Sequence, residues 1–212
     1  MSDKKQPFMD RRGFLKKIFG GSEVTRSFFA VQVVFDAAGH EELRARLQAL
    51  IDAPGEETIE EKRRLYRRLT SVLAEAEPFF EYAFFEYVPD SSAARDKFEE
   101  WVVEIEASFA GEDEEISDEI DGYRRLSNEQ RYIVVSLIFL VEGPHPDHGK
   151  EISEDELYTR AGVGGLIDSI NRLRYDRVMA DAAYLIPGSP EDGFSWADFA
   201  DEGWSYLVSL PY

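Results

Sequence analysis

The chain predicts an α+β fold, with one sheet of about four strands flanked by helices. Three observations carry this. Phe28–Asp36 and Arg131–Val141 are β-branched and aromatic runs with the length of buried strands. Several segments between such runs place apolar residues three and four positions apart, the period of a helix with one buried face. The resulting order, β-α-α-β-α, occurs twice, as residues 27–110 and 127–212. The recurrence admits a duplicated unit whose halves share one sheet; chance recurrence in an α+β chain is the alternative.

The elements follow in order. Phe28–Asp36 (FFAVQVVFD) is the first strand. Between His40 and Asp52, Leu43, Leu47, Leu50 and Ile51 keep helical spacing. Pro54-Gly55 marks a turn. Thr58 and Glu61 have capping-box spacing and open a helix to Ala76, ended by Pro78. Tyr82–Val88 is the second strand, closed by Pro89-Asp90. A helix from Ser91 carries Phe98, Trp101, Val102, Ile105 and Phe109 in one stripe. Residues 111–122 (GEDEEISDEIDG) form an acidic loop and the clearest internal boundary. Arg131–Val141 is apolar at nearly every position, so it is expected to be buried on both faces and central. Ser153 and Glu156 cap a short helix; Gly162-Val163-Gly164-Gly165 is expected to break it from the next one. Val178–Ile186 is the fourth strand. Ser195 and Asp198 open a last helix whose Trp196, Phe199, Trp204, Leu207 and Val208 are expected to look inward.

Composition limits the function classes. Among 212 residues, 43% are hydrophobic, enough for a packed core, and there is no cysteine. Disulfides, thiolate metal sites and cysteine nucleophiles are therefore excluded. A net charge of −19 repels phosphates and argues against nucleic acid as a partner of the body. No apolar run reaches the length of a membrane-spanning helix.

Charge is unevenly distributed. Residues 1–26 hold seven basic and three acidic side chains, while the remainder is strongly acidic. In this head, Phe14, Leu15, Ile18 and Phe19 share a helical arc, with Arg11, Arg12, Lys16 and Lys17 around it. Three readings follow. The head docks as an amphipathic helix on a protein partner with an acidic surface or a groove, or it lies on an anionic membrane surface. Alternatively, Asp10-Arg11-Arg12-Gly13-Phe14-Leu15-Lys16 resembles a twin-arginine export signal. Glu23 and Arg26 interrupt the apolar stretch that such a signal needs, and the next apolar run is the first strand. A cytoplasmic chain, recruited to a membrane or a larger assembly, is the expectation.

Chemical motifs are sparse. Glu142, His145, Asp147 and His148 fall within seven residues and are the only metal-ligand candidates. Pro146 stands between the histidines, in a loop without the register that would fix them. The acidic loop lacks the oxygen-ligand spacing of a calcium loop, because Ile116 and Ile120 interrupt it. It is expected to be solvated and able to attract a basic partner. The glycines at 162–165 are not followed by the lysine and hydroxyl of a phosphate loop. No nucleophile motif is present, and no cofactor is expected.

Several segments resemble a family known as domain of unknown function 1517. They are Val31-Gln32-Val33, Tyr132–Ile138 running to Glu142-Gly143, Met179–Pro187, and Pro78-Phe79-Phe80-Glu81-Tyr82. The closing Tyr206-Leu207 with Leu210 fits too. The resemblance covers residues 27–212. The chain departs from it at Ala76-Glu77 and at Leu185-Ile186-Pro187. It implies the α+β fold, and for many members a membrane segment before the domain; it implies no catalytic residue. The function expected is a non-enzymatic interaction, scaffold or adaptor module recruited by its head. An enzyme assisted by a metal at 142–148 is the alternative, and an exported protein the third reading.

Overall fold

The computed structural model describes residues 25–53, 58–113, 131–145, 153–188, 194–199 and 204–211. Its five-stranded sheet has the order β4-β3-β1-β2-β5, with every neighbouring pair antiparallel. The strands are β1 (Arg26–Asp36), β2 (Phe80–Val88), β3 (Tyr132–Glu142), β4 (Val178–Ile186) and β5 (Val208–Ser209). The helices are α1 (Glu41–Ile51), α2 (Ile59–Ala76), α3 (Ser91–Asp113), α4 (Glu154–Leu157), α5 (Arg160–Ser169) and α6 (Trp196–Phe199).

The central pair is β1–β3, and its sequence explains its place. Residues 27–35 of β1 and 132–141 of β3 are buried without interruption. A strand apolar on both faces is stable only when both faces are covered. Alternation then divides its side chains between two cores. Phe29, Val31, Val33 and Phe35 of β1 join Ile133, Val135, Leu137 and Phe139 of β3 under α1, α2 and α5. Phe28, Ala30 and Val34 join Val134, Ile138 and Leu140 under α3 and the segment around Phe194. Each buried ring or branched chain contributes about 2 kcal/mol relative to exposure.

One polar track crosses the second core. Gln32 and Ser136 face each other across β1–β3, both almost fully buried. The Gln32 amide donates to Ser136 Oγ at 2.8 Å, and its carbonyl accepts from the Tyr206 hydroxyl at 2.7 Å. An unpaired amide there would be costly, so Tyr206 ties the C-terminal segment to the sheet. Burial holds the Tyr206 hydroxyl pKa up, to about 12.

Local signals set the helix ends. Thr58 Oγ1 accepts from the Glu61 amide at 3.2 Å while the Glu61 carboxylate accepts from the Thr58 amide at 3.0 Å, a complete capping box. Ser153 and Glu156 form the same exchange, and the Asp198 carboxylate accepts from the Ser195 amide at 2.7 Å. Asp90 accepts from the amides of Ser92 and Ala93 at 3.1 Å each and starts α3. These bonds hold its carboxyl below the usual range.

Four expectations change. The sheet has five strands, because the chain near Val208 pairs with Tyr82 and Ala83 of β2 instead of continuing a helix. Among the described residues the last helix spans Trp196–Phe199, and Trp196 (56% exposed) and Val208 (37%) do not look inward. The glycines at 162–165 do not break two helices; they lie inside α5, which Thr159 caps by accepting from the Gly162 amide at 3.0 Å. Finally, α3 runs into the expected acidic loop as far as Asp113, and residues 114–122 lie outside the described residues.

Candidate interaction site on the helical layer

The docking residues expected in the head, Arg11, Arg12, Phe14, Leu15, Lys16, Lys17, Ile18 and Phe19, lie outside the described residues. So do Asp147 and His148 of the metal candidates. Glu142 is exposed at the end of β3. His145 is instead buried, 2% exposed, with its ring stacked on Phe29 at 4.8 Å between centroids. Its amide donates to the Tyr87 hydroxyl at 3.4 Å. The histidine thus plugs one end of the sheet. Among the described residues no group of three or more His, Asp or Glu side chains is arranged to hold a metal.

A different feature stands out on the outer surface of the helical layer. Helix α2 carries Lys62, Arg63, Arg64, Arg67 and Arg68 within seven positions, in a chain of net charge −19. The helix buries Tyr66, Leu69, Thr70, Val72 and Leu73, which turns Arg64, Arg67 and Arg68 to solvent. Spacings of three and four put these three arginines, and then Ser71, on one stripe.

The nearby carboxylates are committed elsewhere. Glu60 pairs with Arg63 at 2.5 Å, Glu61 closes the Thr58 capping box, and Glu75 takes a two-pronged contact from Arg46 at 2.5 and 2.7 Å. That contact holds the Glu75 carboxyl below its usual value. Lys62 reaches Asp181 of β4, whose other oxygen accepts from the Tyr66 hydroxyl at 2.8 Å. Among the described residues no carboxylate pairs with Arg64, Arg67 or Arg68.

Beside this stripe lies an open groove of about 500 Å3 between α2 and the α5 segment. Buried Leu73, Ile167 and Thr70 line its floor, and Ser71, Ala74 and Gly164 keep its walls low. Arg67, Asp168 and Asn171 stand at its rim. Thr70 Oγ1 lies 3.1 Å from Asn171 Oδ1 and donates there, and the Asn171 amide reaches Asp168 at 3.3 Å. Asp168 also pairs with Arg172, so its charge is matched.

The groove is electrically polarised. Arg67 stands at its rim; outside the groove, burial and then Asp181 raise the Tyr175 pKa, against Arg63 and Arg67. Arg63 sits 5.9 Å from that ring's centroid. At the end away from Arg67, Glu77 is so close to Gly164 that a Cβ there would meet Glu77 Oε2 at 2.5 Å. The arrangement offers hydrogen bonds, the Arg67 cation beside a run of exposed arginines, and a largely apolar floor; its lining contains no nucleophile paired with a base.

In the sequence the apolar stripe of α2 stands out more than its arginines do. The usable signal was the run at 62–68 within an acidic chain. Comparison with protein-family models, with curated proteins and with solved structures finds no match for this chain.

Proposed function

We propose that the protein is a non-enzymatic interaction or scaffold module that binds an anionic partner through the outer face of α2. One observation carries the reading: Arg64, Arg67 and Arg68 are exposed on a single stripe, without carboxylate partners among the described residues, in a chain of net charge −19. Cations left unmatched in a negative field are available for charge-assisted hydrogen bonds to another molecule. The basic head, read from sequence alone, would be a second contact that recruits the module to a protein or membrane surface. Two separated basic elements on an acidic body suit an adaptor.

The test keeps the chain whole. In one variant Arg64, Arg67 and Arg68 become Glu; in another Arg11, Arg12, Lys16 and Lys17 become Glu. Circular dichroism first establishes that both fold. Crosslinking in cells followed by mass spectrometry then compares partners with the parent chain. The α2 variant is expected to lose a specific set of partners, and the head variant to lose its location. An unchanged partner set in the α2 variant would sink the proposal. The metal-assisted enzyme reading has less support, because His145 is packed under Phe29.

A further inference from the structure

We infer that the groove and the arginine stripe together accept an acidic protein segment with one apolar side chain spaced from its carboxylates. This rests on the interaction reading above and names the partner's chemistry.

The spacing comes from α2. Arg67 and Ala74 are seven residues apart, about 10 Å along a helix axis. Carboxylates held at Arg67 and Arg68 would therefore lie about 10 Å, and one held at Arg64 about 15 Å, from an apolar group seated between Ala74 and Gly164. An extended segment covers the shorter distance in about three residues, a helical one in about seven. Glu77 at the far end fixes polarity, because it repels a segment entering acid-first from that side. Arginine suits the task, since its planar fork grips a carboxylate with two hydrogen bonds.

Charge and shape favour this occupant over other polyanions. A nucleic-acid strand extends its charge well past three arginines, onto a body of net charge −19. It would also find no aromatic ring to stack on among the residues that line the groove. An anionic membrane presents a broad negative plane to a body of net charge −19, and no large apolar side chain projects from this stripe to enter it.

Fluorescence anisotropy with the full-length protein tests the inference. The probes are labelled peptides with three glutamates followed, three residues later, by a leucine, by a serine, or by a leucine displaced to six residues; a second set spaces the leucine at seven on an alanine-rich helix. A labelled single-stranded oligonucleotide and vesicles with anionic lipid are the other arms. Correctly spaced leucine peptides are expected to bind about tenfold tighter than the serine peptide. Ala74→Phe, which fills the groove from an exposed position, should abolish that preference and leave the serine peptide unaffected. Arg67→Glu with Arg68→Glu should weaken every acidic peptide about tenfold or more. If acidic peptides bind with arginine dependence but leucine and serine bind alike, the groove has no role; the inference fails and the interaction reading stands. Arginine-dependent binding of only the oligonucleotide or the vesicles replaces the protein segment with that partner. Binding that ignores the arginines, or none in any arm, overturns both.

Discussion

Two glycines of one helix should respond to the same substitution with opposite signs. Gly162 and Gly165 are both inside α5. A Cβ at Gly162 would lie 2.2 Å from the Glu156 carbonyl oxygen and 2.5 Å from that of Leu157. Both are backbone atoms at the end of α4, so relief requires α4 and α5 to move apart. Overpacking of this kind costs about 2 kcal/mol. At Gly165 nothing lies within 4 Å of the added carbon, and the position is exposed. Alanine there gains helix propensity of about 0.5–1 kcal/mol, because glycine gives up more backbone freedom on folding. For a chain of this length 1 kcal/mol moves Tm by about 2–4 °C. Gly165→Ala should therefore raise Tm by about 1–4 °C, and Gly162→Ala should lower it by about 4–8 °C. Thermal and urea unfolding followed at 222 nm read both. If Gly165→Ala destabilises as much as Gly162→Ala, residues 162–165 are not helical. That result would also remove one wall of the groove.

The remaining predictions are briefer. Asp181→Ala strips the acceptor from Lys62 and from the Tyr66 hydroxyl in a mostly buried setting, and should cost about 2–3 kcal/mol; restoring stability with Lys62→Met in the same chain would show that the stranded ammonium causes the loss, and a cost under about 0.5 kcal/mol would contradict the contact. The Tyr206 pKa stands near 12 in the folded protein, above the ~10 of an unfolded tyrosine. A raised folded value means its contribution is complete below pH ~10 and is lost as pH rises toward 12. Tyr206→Phe should make the alkaline fall in stability shallower, and urea titrations at pH 9, 10 and 11 check the slope. Trp196 is exposed while Trp101 is buried and donates to Glu86 at 2.8 Å; Trp196→Phe should remove most of the iodide-quenchable emission, and an unchanged quenching curve would place Trp196 in the interior.

The sheet was readable because its strands are extreme. β1 and β3 are apolar at successive positions, and only a doubly covered central strand tolerates that. α2 was readable to its cap, since Thr58 and Glu61 have one structural use at that spacing. β5 was not readable: Val208-Ser209 is two residues long, below any periodicity, and its pairing depends on the edge that β2 offers. The glycines at 162–165 misled for a related reason. Propensity disfavours them in a helix, but Gly162 must lie against the backbone of α4 and Gly164 against Glu77. Close approach between elements is a tertiary demand, invisible in local pattern.

The arginines of α2 show the same limit on the functional side. In sequence, Glu60, Glu61 and Glu75 flank the cations, and a helix with mixed charges at spacings of three and four reads as a solvated face laced by ion pairs. Glu60 even stands four residues before Arg64. Folding reassigns these acids one by one. Glu61 is drawn back to the helix start by Thr58, Glu60 leans to Arg63, and Arg46 of α1 claims Glu75 across a helix–helix contact. Lys62 is pulled inward to Asp181. What remains is positive charge concentrated on Arg64, Arg67 and Arg68, next to the place where glycine and alanine leave room between α2 and α5. Each reassignment has its own local cause, and their sum is a stripe of exposed arginines beside a groove with a largely apolar floor. The bland reading and the functional one differ only in where three carboxylates point. Charge reversal at the three arginines separates them: a solvated face would tolerate it without effect on binding, whereas a contact surface would not.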